Sequence, residues 1–451
     1  MVQDGAEKSL TAGEPPIVYD VTRLVTRALN AAPNGIDRVD FLLARHFLEK
    51  GATPLACTAL GPRLGDADRA LATLGAIESC WRETADAESD AAYRFVVDAL
   101  RGRADAPAQA RITSESLVAR VLRNGGALRD WGLRLGRPPR MAPPGAVYVN
   151  ATQFLLDRPW HVRWLAARPD VKTVAFVHDL LPIDHPEFFR PGEAALHPRR
   201  HRNICRLASG VVVASRAVAR RFEDFAKENG RERLPICVAP LPVAPVFAQA
   251  ATAPDELAGV AYFVACGTIE PRKNHLLLLN VWRELAARGD APKLVIIGKR
   301  GWLNENVVDM LQRCPRLRAH VIEASGLSTP GLRRLMAGAR ALLMPSFGEG
   351  FGLPVAEALA AGTPVVASDL EVFREIAGAG PAYLHPLDGP GWMQAVQDFA
   401  APGSPRRAAA LARMAGGGFV ASPVMFLKTV DAFIEERASV RDESQRRDQG
   451  P

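Results

Sequence analysis

ALLMPSFGEGFGLPVAEALAAGTPVVASD, residues 341–369, holds a strand, a glycine loop, a helix and the start of another strand. Ala341–Pro345 is a short apolar run of buried-strand type, and Gly348, Gly350 and Gly352 follow it at alternate positions. The next segment has helical period, which predicts a helix with Pro354 as its first residue and Gly362 just past its end. Closely spaced glycines let backbone approach a ligand, and the helix start behind them presents N–H groups carrying about half a positive charge. A strand, a glycine loop and a helix in that order read as a phosphate site. Glu349 stands in the loop and Glu357 is expected in the first helical turn, so the two carboxylates reach a ligand from different places. Taken alone, Glu357 is better explained as a favourable acid near a helix N-terminus.

Outward from this segment the chain alternates short β-branched runs with longer helical stretches, the pattern of parallel sheets covered by helices on both faces. One series of strands is predicted at Ile17–Val21, Leu55–Ala59, Ala146–Asn150, Thr173–His178, Val211–Ser215 and Ile236–Ala239. A second follows an Ala- and Pro-rich link, at Ala261–Cys266, Lys293–Gly298, Ala319–Glu323, Ala341–Pro345 and Pro364–Ser368. The fold expected is two doubly wound, Rossmann-like α/β domains. Ligands of such sheets bind beyond the carboxyl ends of the strands, so the site belongs in a cleft where two sets of strand ends face each other. The expected domain bounds are 15–245 and 259–420, joined by a linker over 246–258, with a C-terminal helix at 421–437 and disordered ends at 1–14 and 438–451. Residues 61–144 are too long for a simple connection and must carry helices of their own. Ser114 is read as the cap of one of them, with Leu117, Val118, Val121 and Leu122 on one face.

The 451 residues are 48% hydrophobic and 23% charged, which fits a globular chain and excludes wholesale disorder. The net charge of +7 is local. Residues 101–140 hold nine arginines against three acids, residues 190–206 hold five against Glu193, and the remainder is slightly acidic. Such patches are either solvated faces or contacts with an anionic partner. Arg129, Arg134 and Arg137 beside the apolar Leu128, Trp131 and Leu135 read as a basic amphipathic helix able to lie on an anionic membrane. The six cysteines are scattered, without a C-x-x-C pair, and the N-terminus shows no signal-like apolar stretch, which points to a reduced, cytosolic chain. No metal signature is present.

Three further loops end predicted strands. In Gly267-Thr268-Ile269-Glu270-Pro271-Arg272-Lys273-Asn274-His275, adjacent cations before a helix can neutralise a diphosphate. In Phe176-Val177-His178-Asp179, His178 either contacts a substrate across the cleft or satisfies a backbone carbonyl. In Pro33-Asn34-Gly35-Ile36-Asp37-Arg38-Val39, Gly35 either cradles a phosphate or makes a turn. A dinucleotide fingerprint built on Gly348, Gly350 and Asp369 competes with these readings, but Leu353 stands where Gly or Ala is required and Glu349 opposes a pyrophosphate.

Together these residues resemble the retaining glycosyltransferases of family 4. Glu349 and Glu357 in EGFGLPVAEALAAGTPVVAS look like that family's E-x7-E signature, and GTIEPRKNH looks like its diphosphate loop. Weaker echoes lie in residues 33–39 and in ASRAVARRF at 214–222. The resemblance implies the GT-B fold and a nucleoside diphosphate sugar as donor substrate, with no separate cofactor or metal. Residue by residue, it implies that Glu349 contacts the donor sugar and Glu357 the ribose. Arg272 and Lys273 would hold the diphosphate with the N–H groups of Gly350, Phe351, Gly352 and Leu353, while His178 faces the sugar and Gly35 the phosphates. Two departures stand out: Thr268 takes a position where many members have Arg, and Pro242 one where Gly is common. The function expected is transfer of a hexose, with GDP-mannose the donor that the EPRKN form of the loop resembles, to a glycan or lipid-linked glycan of a surface polysaccharide. The enzyme would be cytoplasmic and peripheral on an anionic membrane. An NAD(P)-dependent oxidoreductase and a basic nucleic-acid-binding protein are the alternatives.

Overall fold

A computed structural model of the chain describes residues 14–27, 33–58, 61–81, 86–103, 136–249, 254–415 and 421–439. The expected Ser114 helix, Arg129, Arg134 and, of the ends expected to be disordered, residues 1–13 and 440–451 lie outside them, whereas residues 438–439 complete a helix. Two sheets form the framework. The first runs in the order β3-β2-β1-β4-β5-β6-β7, with β1 Ile17–Asp20, β2 Thr53–Thr58, β3 Gly61–Leu64, β4 Val147–Asn150, β5 Lys172–Val177, β6 Gly210–Val213 and β7 Ile236–Val238. The second runs β10-β9-β8-β11-β12-β13, with β8 Tyr262–Cys266, β9 Lys293–Ile297, β10 Val321–Ala324, β11 Leu342–Met344, β12 Val365–Ser368 and β13 Ala382–Leu384. Every pairing is parallel except β2 with β3. Parallel strands are covered on both faces, which is why runs such as Gly210–Val213 and Tyr262–Cys266 are buried at every residue.

Two strands escape the sequence pattern. Residues 61–64 open the long insertion as β3, an antiparallel edge strand whose Pro62 is tolerated because an edge leaves one side of the backbone unpaired. The three residues of β13 are only partly buried and close the other sheet.

Four apolar clusters flank the sheets. In the first domain Phe426, Val430, Phe433 and Ile434 of the C-terminal helix Pro423–Ser439 return to pack beside Tyr19, Leu43 and Val149. Gly210 makes room for them, since a Cβ there would sit 2.6 Å from the Phe433 ring. In the second domain Trp282, Trp392 and Phe399 cover one face. The other face is completed from an unexpected source. Helix Ala91–Leu100, part of the insertion expected to belong to the first domain, packs Tyr93, Val96, Val97 and Leu100 against Val295, Ile322 and Leu335 of the second. Asp90 locks it there, accepting Ala92 N–H at 2.8 Å as a helix cap and Ser328 N–H of the second domain at 2.7 Å. An apolar helical stripe shows that a face must be covered; it does not show which sheet supplies it.

Candidate functional site

The carboxyl ends of the two sheets face each other, and the second-domain side is built from two loops. After β8 the chain turns at Gly267, whose φ of 142° and whose contact with the Lys273 stem (3.1 Å from a would-be Cβ to Cε) both favour glycine. Asn274, at a left-handed φ of 55°, donates to the carbonyls of Pro345 and Pro386 and so pins this loop to the strand ends beside it. Lys273 Nζ then reaches Glu349 Oε1 at 2.5 Å, while Arg272 donates to Glu349 Oε2 at 2.7 Å, to the Gly348 carbonyl at 2.7 Å and to Glu270 at 2.6 Å. Ser346 Oγ adds a bond to Glu349 at 2.7 Å. Burial would raise the Glu349 pKa, but Arg272 and Lys273 outweigh it and hold the carboxyl at about 2, so it is ionised. Burial pushes the Lys273 ammonium below its ordinary value and Glu270 above its own. Arg272 is therefore a strut for the glycine loop, and of the two cations expected at a diphosphate Lys273 is the one that points its charge at Glu349 alone.

Helix Leu353–Ala360 starts behind this loop. Its cap is Gly352, at φ 100°, and no side chain caps it. A Cβ at Gly352 would lie 2.4 Å from the Phe373 ring, which together with the left-handed backbone reserves the position for glycine. Pro354 is the second helical residue rather than the first, and the helix begins one residue earlier than expected. Glu357 accordingly sits on the second turn, not the first, and simple complementation of the helix dipole does not account for it. It is buried, and Arg38 of the first domain pairs with it at 3.2 Å. Phe351 is buried between loop and helix.

The first-domain side is quieter. His178 follows β5 with Nε2 bonded to the Ala151 carbonyl at 2.7 Å, and burial pushes its pKa down to about 4. The ring is neutral, and one of its nitrogens is used within its own domain. A Cβ on Gly350 would come within 2.3 Å of the His178 carbonyl oxygen and 3.0 Å of Asp179 Cβ; one on Gly348 would come within 2.9 Å of Leu181. Ser215 Oγ donates to the Gly350 carbonyl at 3.0 Å. Two glycines expected to admit a ligand thus also admit the opposite domain. The turn at 33–39 is a capping box: Asn34 accepts Asp37 N–H at 2.9 Å, Asp37 accepts Asn34 N–H at 3.0 Å, and Arg23 holds Asp37. Gly35 opens helix Gly35–Glu49 and faces Leu353, 3.6 Å from its would-be Cβ.

The structure therefore brings Glu349, Lys273, Arg272, Glu357, Gly350, Gly352, Leu353, Gly35 and the His178 backbone to one cleft. Sequence reasoning passed over Arg38, Ser346, Glu270 and Ser215. Arg38 was visible only as the last polar residue of NGIDR, without a sign of its partner. Asp369, the acid of the dinucleotide alternative, is bound to Arg374 at the surface. The arginine patch at 190–206 is partly engaged, Arg200 with Asp157 and Arg190 over the Trp302 ring, while Arg199, Arg202 and Arg206 are exposed on helix Glu193–Leu207. Among the described residues, no helix is long and apolar enough to cross a membrane and no cluster of His, Cys, Asp and Glu could hold a metal ion.

Known proteins share both the second domain and the whole architecture. The family model Glycosyl transferases group 1 matches residues 261–401. The serotype-specific mannosyltransferase WbdA of Escherichia coli is 32% identical over 216 residues, 45% of this chain and 26% of that protein. The O-antigen chain mannosyltransferase RfbU of Salmonella typhimurium is 35% identical over 145 residues, 31% of this chain and 38% of that one. The matches thus span well under half the length of these relatives. Among solved structures, Anabaena HepE in complex with UDP and glucose aligns over 94% of this chain and 100% of its own at a TM-score of 0.57 and 15% identity. The α,α-trehalose 6-phosphate synthase of Burkholderia multivorans aligns over 94% and 99% at 0.56 and 14%. These likenesses show the GT-B fold across both sheets, and the second domain is similar to the glycosyl transferases group 1 family over residues 261–401.

Proposed function

We propose that the chain is a retaining glycosyltransferase that moves a hexose, with mannose the first candidate, from a nucleoside diphosphate sugar to a glycan or lipid-linked glycan in surface polysaccharide assembly. One observation carries this reading: an ionised, buried Glu349 held between Lys273 and Arg272, beside a helix N-terminus that no side chain caps. The names of WbdA and RfbU, both mannosyltransferases, support the sugar, and the UDP complexes of HepE support a nucleotide as ligand.

In this reading the diphosphate lies against the N–H groups of Gly350 to Leu353 and Lys273, which stabilise the negative charge that grows as the glycosidic bond breaks. Glu349 accepts hydroxyls of the sugar and supports the positive charge of an oxocarbenium-like ring. Glu357 holds the ribose. His178, neutral, offers a polar edge to the sugar from the first domain without adding a second positive charge. The acceptor enters along the first-domain side and attacks from the face the diphosphate leaves, so the anomeric configuration is retained. Cations and helix N–H groups do the work a metal does elsewhere. Exposed Arg199, Arg202 and Arg206 support a contact with an anionic membrane or acceptor, and in this reading the enzyme works at the cytoplasmic face.

The test combines binding and turnover. UDP or GDP at 100 times its dissociation constant raises stability by about 2.7 kcal/mol, and NAD does not. Lys273→Ala and Glu349→Gln each lower transfer about 10²- to 10³-fold. NMR of the product shows the donor's anomeric configuration, and chelators leave the rate unchanged. Undiminished transfer by both variants, or stabilisation by NAD alone, rejects the site.

A further inference from the structure

One charge in the cleft comes from the far side of the molecule. Arg38 is the fourth residue of helix Gly35–Glu49, whose start is fixed by the Asn34–Asp37 capping box. That box places its guanidinium across the cleft at Glu357 of helix Leu353–Ala360, 319 positions along the chain. The first turns of the two helices touch, Gly35 against Leu353. The Cys266 thiol at the end of β8, raised first by its burial, lies within electrostatic range of Glu357, Lys273 and Arg38 together. Three charged groups from three elements thus surround the strand end where the second domain's phosphate loop begins, and one of them belongs to the first domain.

The second-domain cations are already committed in this state. Arg272 is bound to Glu349, Glu270 and Gly348, and Lys273 to Glu349, so their positive charge is balanced before any anion arrives. A diphosphate adds at least two negative charges beside these balanced pairs, and Arg38, itself paired with Glu357, is the guanidinium that reaches the same strand end from the first domain. A guanidinium carries five N–H donors in a planar fork and can hold a carboxylate and a phosphate at once.

We propose that Arg38 is a donor-binding residue supplied by the first domain, its guanidinium bridging Glu357 and the diphosphate so that donor binding ties the two domains together. This rests on the glycosyltransferase reading of the same site.

The experiment measures binding by calorimetry for UDP, UMP and uridine, and for GDP, GMP and guanosine, with wild type, Arg38→Gln, Arg38→Lys, Lys273→Ala and Glu357→Gln. Arg38→Gln is expected to weaken diphosphate binding about ten- to a hundredfold, the range of a charge-assisted hydrogen bond, while nucleoside binding stays within about twofold. Arg38→Lys should recover part of the loss, because it keeps the charge and loses the fork. Thermal melting of each variant without ligand separates misfolding from lost contact. Diphosphate binding by Arg38→Gln equal to wild type overturns the inference. So does an equal loss for nucleoside and diphosphate, which would mean that Arg38 only aligns Glu357. If Lys273→Ala loses diphosphate binding while Arg38→Gln keeps it, the glycosyltransferase reading stands and this inference falls. Wild type that binds none of the six compounds overturns both.

Discussion

The two sides of the cleft are built by opposite means. On the second-domain side, buried charges of both signs sit within two short loops, Glu270, Arg272 and Lys273 in one and Glu349 with Ser346 in the other, linked into one network through Arg272 and Glu349. On the first-domain side the strand ends present a neutral His178, a backbone carbonyl and Asp179, whose carboxyl pKa is pushed up by burial, while Arg38 reaches across to Glu357 and the other buried charges lie deeper. Behind them Asp20 is buried with His161, Tyr148 and Asn150, and Asp40 is buried against Tyr19. The first arrangement stores electrostatic work where a ligand will use it. The second uses buried polar groups to hold a backbone still, so that His178 and Gly350 can meet at van der Waals range. A charged wall and a shaped wall fit a reaction in which one partner carries a diphosphate and the other a hydroxyl.

The largest expected contrast between the walls is in pH. Burial works against a charged His161, but its hydrogen bond to Asp20 outweighs that and lifts the imidazole from 6.5 to about 9. A raised pKa stabilises the fold fully below 6.5, and the contribution is lost as pH rises through 9. Burial also raises Asp40 to about 8, so its neutral acid contributes below 3.8 and that contribution fades on the way up to 8. Glu349 runs the other way. Held near 2 against an ordinary 4.5, it stabilises above 4.5 and loses that support only as pH falls toward 2. Between pH 6.5 and 9 the His161 contribution alone amounts to about 3 kcal/mol. Melting temperature should therefore fall across that window, and His161→Gln should flatten the fall. A wild-type melting temperature constant from 6.5 to 9 breaks the contrast.

Gly350→Ala probes the contact between the walls directly. The new methyl would stand 2.3 Å from the His178 carbonyl oxygen, and backbone lies on both sides, so neither partner can rotate away. Overpacking of this kind costs about 1–3 kcal/mol, and here the relief available is to part the domains. We expect lower melting temperature and a loss of transfer larger than the loss of nucleotide binding, because most nucleotide contacts lie on the second-domain wall, with Arg38 reaching them from the other, whereas the chemistry needs both walls. Transfer rates equal to wild type would show that the close approach is incidental.

The charged wall was legible in the sequence because its residue types carry their chemistry within two short motifs, even though Lys273 and Glu349 lie 76 positions apart. Strands expected at Ala261–Cys266, Lys293–Gly298, Ala341–Pro345 and Pro364–Ser368 are found within one residue at each end, and the one expected at Ala319–Glu323 starts two residues later, at Val321. Glycine spacing, paired cations and two glutamates identified the residues that meet. The shaped wall was not legible, for a physical reason. Whether His178 bonds a ligand or the Ala151 carbonyl depends on a neighbour 27 positions away, and the pairing of Arg38 with Glu357 spans 319. Glycine at 350 reads as permission for close approach, but the approaching group is set by tertiary packing. Helix Ala91–Leu100 shows the same limit, since its apolar face was written for the other domain's sheet.

The smallest expected effect separates the rim from the interior of the same cleft. Arg220 of helix Arg216–Glu228 and Glu371 of helix Glu371–Ala377 also pair across the two domains, but their side chains are 54% and 66% exposed, against 25% and 4% for Arg38 and Glu357. Solvent screens the outer pair, and ordering two long side chains offsets what Coulomb attraction remains. Glu371→Gln should therefore change stability by no more than about 0.5 kcal/mol and leave transfer and nucleotide binding as they are. Melting at low and high salt checks the cause, because a pair of this kind loses its small contribution as the Debye length shrinks to about 3 Å at 1 M. A drop in transfer on Glu371→Gln comparable to that of Arg38→Gln would mean that any charge bridging the domains suffices. The inner pair would then owe nothing to its place beside the phosphate loop.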